Sequence, residues 1–137
     1  MTIEELVDNF RLFDEWEDRY RYLIDLGDAL PPMPEGLKTE DVMVRGCMSQ
    51  VWMVLWWDDV SGKLRMQADS DARIVKGLIA VLRIIFEGRT RAEIEGTNVE
   101  GIFKSLGLDR HLSPNRRSGF FAMVERVGAF VSTARGT

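Results

Sequence analysis

The sequence predicts an α+β fold, a small three-stranded antiparallel sheet packed against helices, and three observations carry that expectation. Apolar residues recur at helical spacing over residues 2–29 and again beyond Asp71. Between these helical regions lie three β-type stretches, Val42 to Arg45, Val51 to Asp58 and Leu64 to Ala68, the last alternating with period two. The link from Asp58 to Lys63 contains Gly62 and suits a hairpin, so the second and third stretches should pair antiparallel.

Each element has its own local signal. Thr2 with Glu5 reads as a capping box, and Ile3, Leu6, Val7, Phe10 and Phe13 give residues 2–13 an apolar helical stripe. Asp14 is the expected cap of a second helix running to about residue 29, with Trp16, Tyr20, Leu23 and Ile24 on its dry face. Pro31, Pro32 and Pro34 stop it, because proline removes the donor that propagation needs, and an irregular loop should follow to about Asp41. The stretch Val51 to Trp57 is apolar on both faces, as expected of a central strand covered by helices. Ser70 and Asp71 offer a cap to a helix from Ala72 to Glu87, apolar almost all round and therefore the core, with Gly88 as its stop. Thr90 with Glu93 is a second capping box, ending at Gly96, and Asn98 to Gly107 suits a short bracing helix. Ser113 then Pro114 reads as an N-cap and a first-turn proline, opening a last helix whose stripe is Phe120, Phe121, Val124, Val127 and Val131.

Composition bounds the function. With 137 residues, 45% hydrophobic and 29% charged, the chain is expected to be a single domain over residues 1–137 with one sizeable core. A net charge of −4 disfavours nucleic acid as a partner. Uncharged apolar runs such as Gly77 to Leu82 are far short of the about 20 residues that span a bilayer, so no membrane segment is expected. The acidic start, Glu4, Glu5 and Asp8, has neither an apolar secretory core nor an Arg-rich leader, which points to the cytoplasm. One cysteine and one histidine permit no internal disulfide and no four-ligand zinc site, and no cofactor motif is present.

The lone cysteine, Cys47, is the candidate nucleophile. A single cysteine is by default a small buried hydrophobe, but Gly46 and Ser49 surround this one with loop-forming residues. Gly46 allows a sharp turn that should push the sulfur outward, ahead of the rigid strand beginning at Val51. Arg45 is the nearest positive charge, either stabilising a thiolate or simply solvated. Met48, Val51 and Trp52 are either core or an apolar wall beside the sulfur. Asp69 and Asp71 read first as helix-capping carboxylates. Arg116 stands in a first helical turn, where its charge opposes the macrodipole, which suggests a partner outside that helix. His111 lies in a connecting segment with no second ligand at motif spacing, so it reads as structural.

The run Gly46-Cys47-x-Ser49-Gln50-Val51-Trp52 resembles the signature of the SufE/CsdE family, sulfur-acceptor partners of cysteine desulfurases. Residues Asp69 to Val81 resemble that family's central helix, and His111-Leu112-Ser113-Pro114-x-Arg116-x-x-Gly119 the entry to its last helix. The resemblance implies a SufE/IscU-like fold and no cofactor or metal of the protein's own. It also implies that Cys47 takes sulfane sulfur as a persulfide from a pyridoxal-phosphate cysteine desulfurase of the SufS/CsdA type. The sulfur then passes to an iron–sulfur scaffold or another acceptor. By the same resemblance Arg116 contacts the desulfurase; Arg45, Gly46, Gln50 and Asp71 are expected as partner-binding or supporting residues. An iron–sulfur scaffold shares the fold but needs several thiolates. A one-cysteine, peroxidase-like thiol enzyme and an interaction module with an incidental cysteine stay open as alternatives.

Overall fold

The computed structural model describes residues 1–133. Helices α1 (Ile3–Arg11) and α2 (Trp16–Asp28) come first, followed by two single 3-10 turns at Glu35–Leu37 and Glu40–Val42. Strands β1 (Val51–Trp57) and β2 (Leu64–Ser70) precede α3 (Arg73–Phe86). Three short helices, α4 (Arg91–Glu95), α5 (Val99–Ser105) and α6 (Leu108–His111), lead into the long α7 (Pro114–Thr133).

Helix α3 is the centre of the packing. Ile74, Leu78, Ile79, Val81, Leu82, Ile85 and Phe86 are all buried, and α1, α2, β2 and α7 pack around them. Helix α2 crosses α3 with almost no space between backbones. A Cβ on Gly27 would stand 2.7 Å from the Lys76 carbonyl carbon, and one on Gly77 would stand 2.8 Å from that of Leu23. Two glycines meeting at the crossing let the helices approach that far. Helix α7 adds Phe120, Met123, Val127 and Val131 to the core, while Phe121 and Val124, expected on the same stripe, are half-buried at its edge.

The capping boxes form as expected: Thr2 and Glu5 exchange bonds of 2.9 and 3.1 Å, Thr90 and Glu93 of 2.9 and 3.3 Å. The Ser113 hydroxyl accepts from the Arg116 N–H at 3.3 Å at the start of α7. Asp14 does not cap α2, which begins after Glu15 without a side-chain cap. Residues 108–111, expected as connection, form α6, where His111 stacks on Trp16 with centroids 4.7 Å apart.

Among the described residues the sheet has two strands, not three. β1 and β2 pair antiparallel from Val51 opposite Ser70 to Trp57 opposite Leu64. The Asp58 carboxylate fixes the hairpin by accepting from the Val60 and Ser61 N–H groups, both at 2.9 Å. Val42 to Arg45 contributes one bridge, Met43 opposite Trp52, and one bond from the Val44 N–H to the Val51 carbonyl at 2.8 Å. Glu40–Val42 is already wound into a 3-10 turn, and the chain turns again at Arg45 and Gly46, where φ is +91°. Too little extended chain is left between these turns for a third ladder. The outer edge of β2 is closed by the end of α3. The Leu64 N–H donates to the Arg89 carbonyl at 2.8 Å, and the Met66 N–H donates to the Glu87 carboxylate at 3.1 Å.

Candidate functional site around Cys47

Cys47 lies on the loop between the Met43 bridge and β1, beneath the first turns of α7. The loop is clamped at both ends. On its entry side the Arg126 guanidinium of α7 donates to the Met43 carbonyl at 3.2 Å. On its exit side the Gln50 N–H donates to the Asp71 carboxylate at 3.1 Å, while the Gln50 carbonyl accepts from the Asp71 N–H at 3.3 Å. Asp71 is therefore a loop anchor rather than the cap of α3. The hydroxyl of Ser70 accepts from the Ala72 N–H at 3.2 Å, and α3 itself begins without a side-chain cap.

Gly46 takes the positive φ that a Cβ would strain, and its backbone lies close to α7: a Cβ there would meet that of Ala122 at 3.4 Å. The result differs from the expected outward thrust. Cys47 is half-buried and turned toward α7, with its thiol donating to the Gly119 carbonyl at 3.6 Å, while Met48 is 81% exposed. The glycine turn thus presents the methionine and tucks in the thiol. Burial pushes the Cys47 thiol up from its ordinary pKa. The hydrogen bond to a carbonyl acts in the same sense, because it exists only while the sulfur keeps its proton.

Beside the thiol is a small cavity of about 30 Å³. Its apolar lining comes from Val75 and Leu78 of α3, Phe120 and Met123 of α7, and Met48 of the loop, with Arg116 also on its wall. Val51 and Trp52, expected beside the sulfur, are not among these lining residues: Val51 is fully buried, and Trp52 carries Lys38 over its ring at 5.3 Å. Sequence reasoning missed Val75, Leu78, Gly119, Phe120 and Met123 as neighbours of Cys47. A glycine inside a helix weakens it and implies a packing reason, and that is the signal Gly119 carries.

The charged candidates separate. Arg45 is exposed, and the Gly119 carbonyl is the sole polar partner of the sulfur among the described residues. Arg116 is brought to the thiol's cavity, with its guanidinium 5.9 Å from the centroid of the Tyr20 ring. Asp69 caps nothing on α3. Burial pushes its carboxyl up, but the Lys38 ammonium at 2.8 Å, the Ser70 N–H at 2.8 Å and Lys76 at 3.6 Å together hold it below the usual range. Lys38, raised chiefly by that bond to Asp69, ties the proline-rich segment to both strands. No group of three or more potential metal ligands occurs among the described residues, and no helix there is long and apolar enough to cross a membrane.

Known proteins are similar along most of the chain. A SufE-like protein of Rhizobium meliloti (strain 1021) is 42% identical over 128 residues, covering 92% of this chain and 91% of its own. One from Rhizobium etli is 39% identical over 128 residues, covering 92% and 86%. The solution structure of a hypothetical protein from Thermus thermophilus superposes with a TM-score of 0.77 over 98% of both chains, at 24% identity, and so shows the same mixed helix-and-sheet fold. The model of the SufE family, described as an Fe-S metabolism associated domain, matches residues 4–131, a span that includes the Cys47 loop, the α3 core and the start of α7. The chain belongs to the SufE family.

Proposed function

We propose that this protein accepts sulfane sulfur on Cys47 from a pyridoxal-phosphate cysteine desulfurase and passes it on to iron–sulfur cluster assembly or another sulfur acceptor. One observation carries the reading. The sole cysteine of a chain from an Fe–S metabolism family sits beside a small, mostly apolar cavity of atomic size, on a loop clamped between α7 and the strands.

In the transfer, the Cys47 thiolate attacks the terminal sulfur of the donor's persulfide. A bond forms between Cys47 Sγ and that sulfur, the donor's S–S bond breaks, and the electron pair leaves with the donor's cysteine as a thiolate. No external oxidant or reductant is needed. The Cys47 proton must first go to a base, and burial opposes that step in the free protein. Contact with a partner that supplies cations or backbone donors would lower the barrier, and Arg116 lines the same cavity. Arg45 lies on the same loop and faces solvent, where a partner can engage it.

After transfer, the terminal sulfur has a place to go. The cavity of about 30 Å³, lined mostly by apolar side chains with Ser49, Asn115 and Arg116 on its wall, has room for a single sulfur atom. The persulfide, which small thiols reduce, is then shielded until an acceptor arrives.

The test is to mix the protein with candidate desulfurases and free cysteine and to read intact mass. Wild-type protein is expected to gain sulfur, whereas Cys47→Ser folds by circular dichroism, gains none and does not stimulate desulfurase turnover. Wild-type protein that stays unmodified with every desulfurase, or a serine variant that stimulates as well as wild type, would sink the proposal.

A further inference from the structure

We infer that the groove between α5, α6 and α7 is a binding site for a small zwitterion, a free α-amino acid with an apolar side chain. The groove has a volume of about 310 Å³ and shares no lining residue with the Cys47 cavity, so the inference stands apart from the sulfur-acceptor reading. Its lining sorts into three pairs. Phe103 and Phe121, with ring centroids 5.1 Å apart, supply apolar surface; Glu100 and Asp109 supply carboxylates; Lys104 and Arg117 supply cations.

Charge argues for the ligand. Two charges of each sign line one groove, yet none of the four belongs to an ion pair among the described residues. Glu100 and Lys104 stand four residues apart on α5, the spacing at which opposite charges on a helix ordinarily meet, and they do not meet. One oxygen of the Asp109 carboxylate, Oδ1, is moreover buried without a hydrogen-bond partner among the described residues. A buried acceptor in that condition is costly. A carboxylate can be completed only by a donor, and an ammonium group is among the strongest. Lys104 and Arg117 carry donors alone, so their complement is an acceptor, and a carboxylate matches the fork of a guanidinium. Arg117 also donates to the Asp109 backbone carbonyl, which keeps the cation beside the acid. A ligand that answers all three pairs has an ammonium, a carboxylate and an apolar side chain to cover the two rings. Other classes answer fewer of them: a phosphate ester meets two carboxylates, a plain amine leaves both cations unmatched, and a hydrocarbon leaves all four charges. Size agrees, since small-molecule sites run from about 300 to 1,000 Å³ and this groove stands at the lower end, where a single amino acid fits better than a nucleotide.

The experiment titrates L-phenylalanine into the full chain, isotope-labelled for backbone amide spectra, beside its two half-ligands, phenethylamine and 3-phenylpropanoate. L-Phenylalanine is expected to shift the amides of α5, α6 and the start of α7, and each half-ligand to bind about tenfold more weakly. Asp109→Asn should weaken L-phenylalanine about tenfold yet leave 3-phenylpropanoate unchanged, whereas Lys104→Gln should weaken L-phenylalanine and leave phenethylamine unchanged. Melting temperatures are measured alongside; if Asp109→Asn is unfolded, Lys104→Gln decides alone, since its side chain is exposed. No saturable shift of these amides up to the solubility of L-phenylalanine would overturn the inference. So would half-ligands or phenylalanine amide binding as tightly as the free amino acid, which would mark an amine or peptide site, or wild-type affinity in both variants. Sulfur loading of Cys47 should be at the wild-type level in Lys104→Gln, so failure of the acceptor reading and failure of this one are separate results.

Discussion

Gly119→Ala should make the protein more stable and worse at holding sulfur. The residue lies inside α7, where exchanging glycine for alanine stabilises a helix by about 0.5–1 kcal/mol. The new Cβ would stand 3.6 Å from the Cys47 sulfur and 4.0 Å from its Cβ, which is ordinary van der Waals contact and carries no overpacking cost. At this chain length a gain of that size raises the melting temperature by about 3 °C. Yet the methyl group occupies space beside a cavity of only about 30 Å³, which would otherwise receive the terminal sulfur of a Cys47 persulfide. The persulfide should then be displaced toward solvent and lost sooner to a small thiol reductant. Calorimetry gives the first half, and intact mass against time in dilute reductant gives the second. An alanine variant that keeps its persulfide as long as wild type would refute the sheltering role of the cavity, and a lower melting temperature would refute the packing reading at Gly119.

Three other outcomes are expected. Gly77→Ala should destabilise by about 1–3 kcal/mol in urea unfolding, because its Cβ would press on the Leu23 backbone of α2, which cannot yield as a flexible side chain would; an unchanged midpoint would contradict the close α2–α3 crossing. The raised Cys47 pKa implies that alkylation of the free protein at neutral pH is slower than that of an unfolded control. The stability lent by the buried neutral thiol should be complete below the unfolded thiol's pKa of about 8.5 and fall away as pH rises through the higher folded value; alkylation as fast as the control at every pH would reject this. Arg116→Ala should fold with a loss of no more than about 1 kcal/mol, the worth of an exposed cation–π contact, yet slow sulfur transfer; unchanged transfer would remove Arg116 from the mechanism.

What is legible in the sequence is what is local. Both capping boxes join residues three apart, the Asp58 hairpin closes on itself, and α3 announces itself by being apolar nearly all round. The expected third strand is missing for a physical reason. A β-branched run shows that a segment can be extended, but a ladder also needs length, and the turns at Glu40–Val42 and Arg45–Gly46 leave room for a single bridge. Asp71 misleads because an acidic residue just before a helix nearly always suggests a cap, whereas here the Gln50 N–H, 21 residues away in sequence, claims its carboxylate.

The setting of the thiol is less legible than the thiol itself, and the reason bears on how the site works. Cys47 stands out as the sole cysteine, but its partner Gly119 is 72 residues away, and the Arg126 bond to Met43 spans 83. No spacing in the sequence encodes such pairs; only the return of α7 across the loop creates them. Those same contacts set stability against reactivity. Half-burial and a carbonyl acceptor favour the neutral thiol and should slow its reaction with small oxidants, which would suit a sulfur carrier with no second cysteine to rescue it. They also withhold the thiolate that sulfur transfer requires. Under the acceptor reading the conflict is resolved if thiolate formation is favoured only when a donor is docked, so the cation on the cavity wall would matter to the rate as well as the sulfur. Under the acceptor reading, reactivity toward small reagents and reactivity toward a protein donor would be separate properties of Cys47, with Gly119 and the cavity wall bearing on the first and Arg116 on the second.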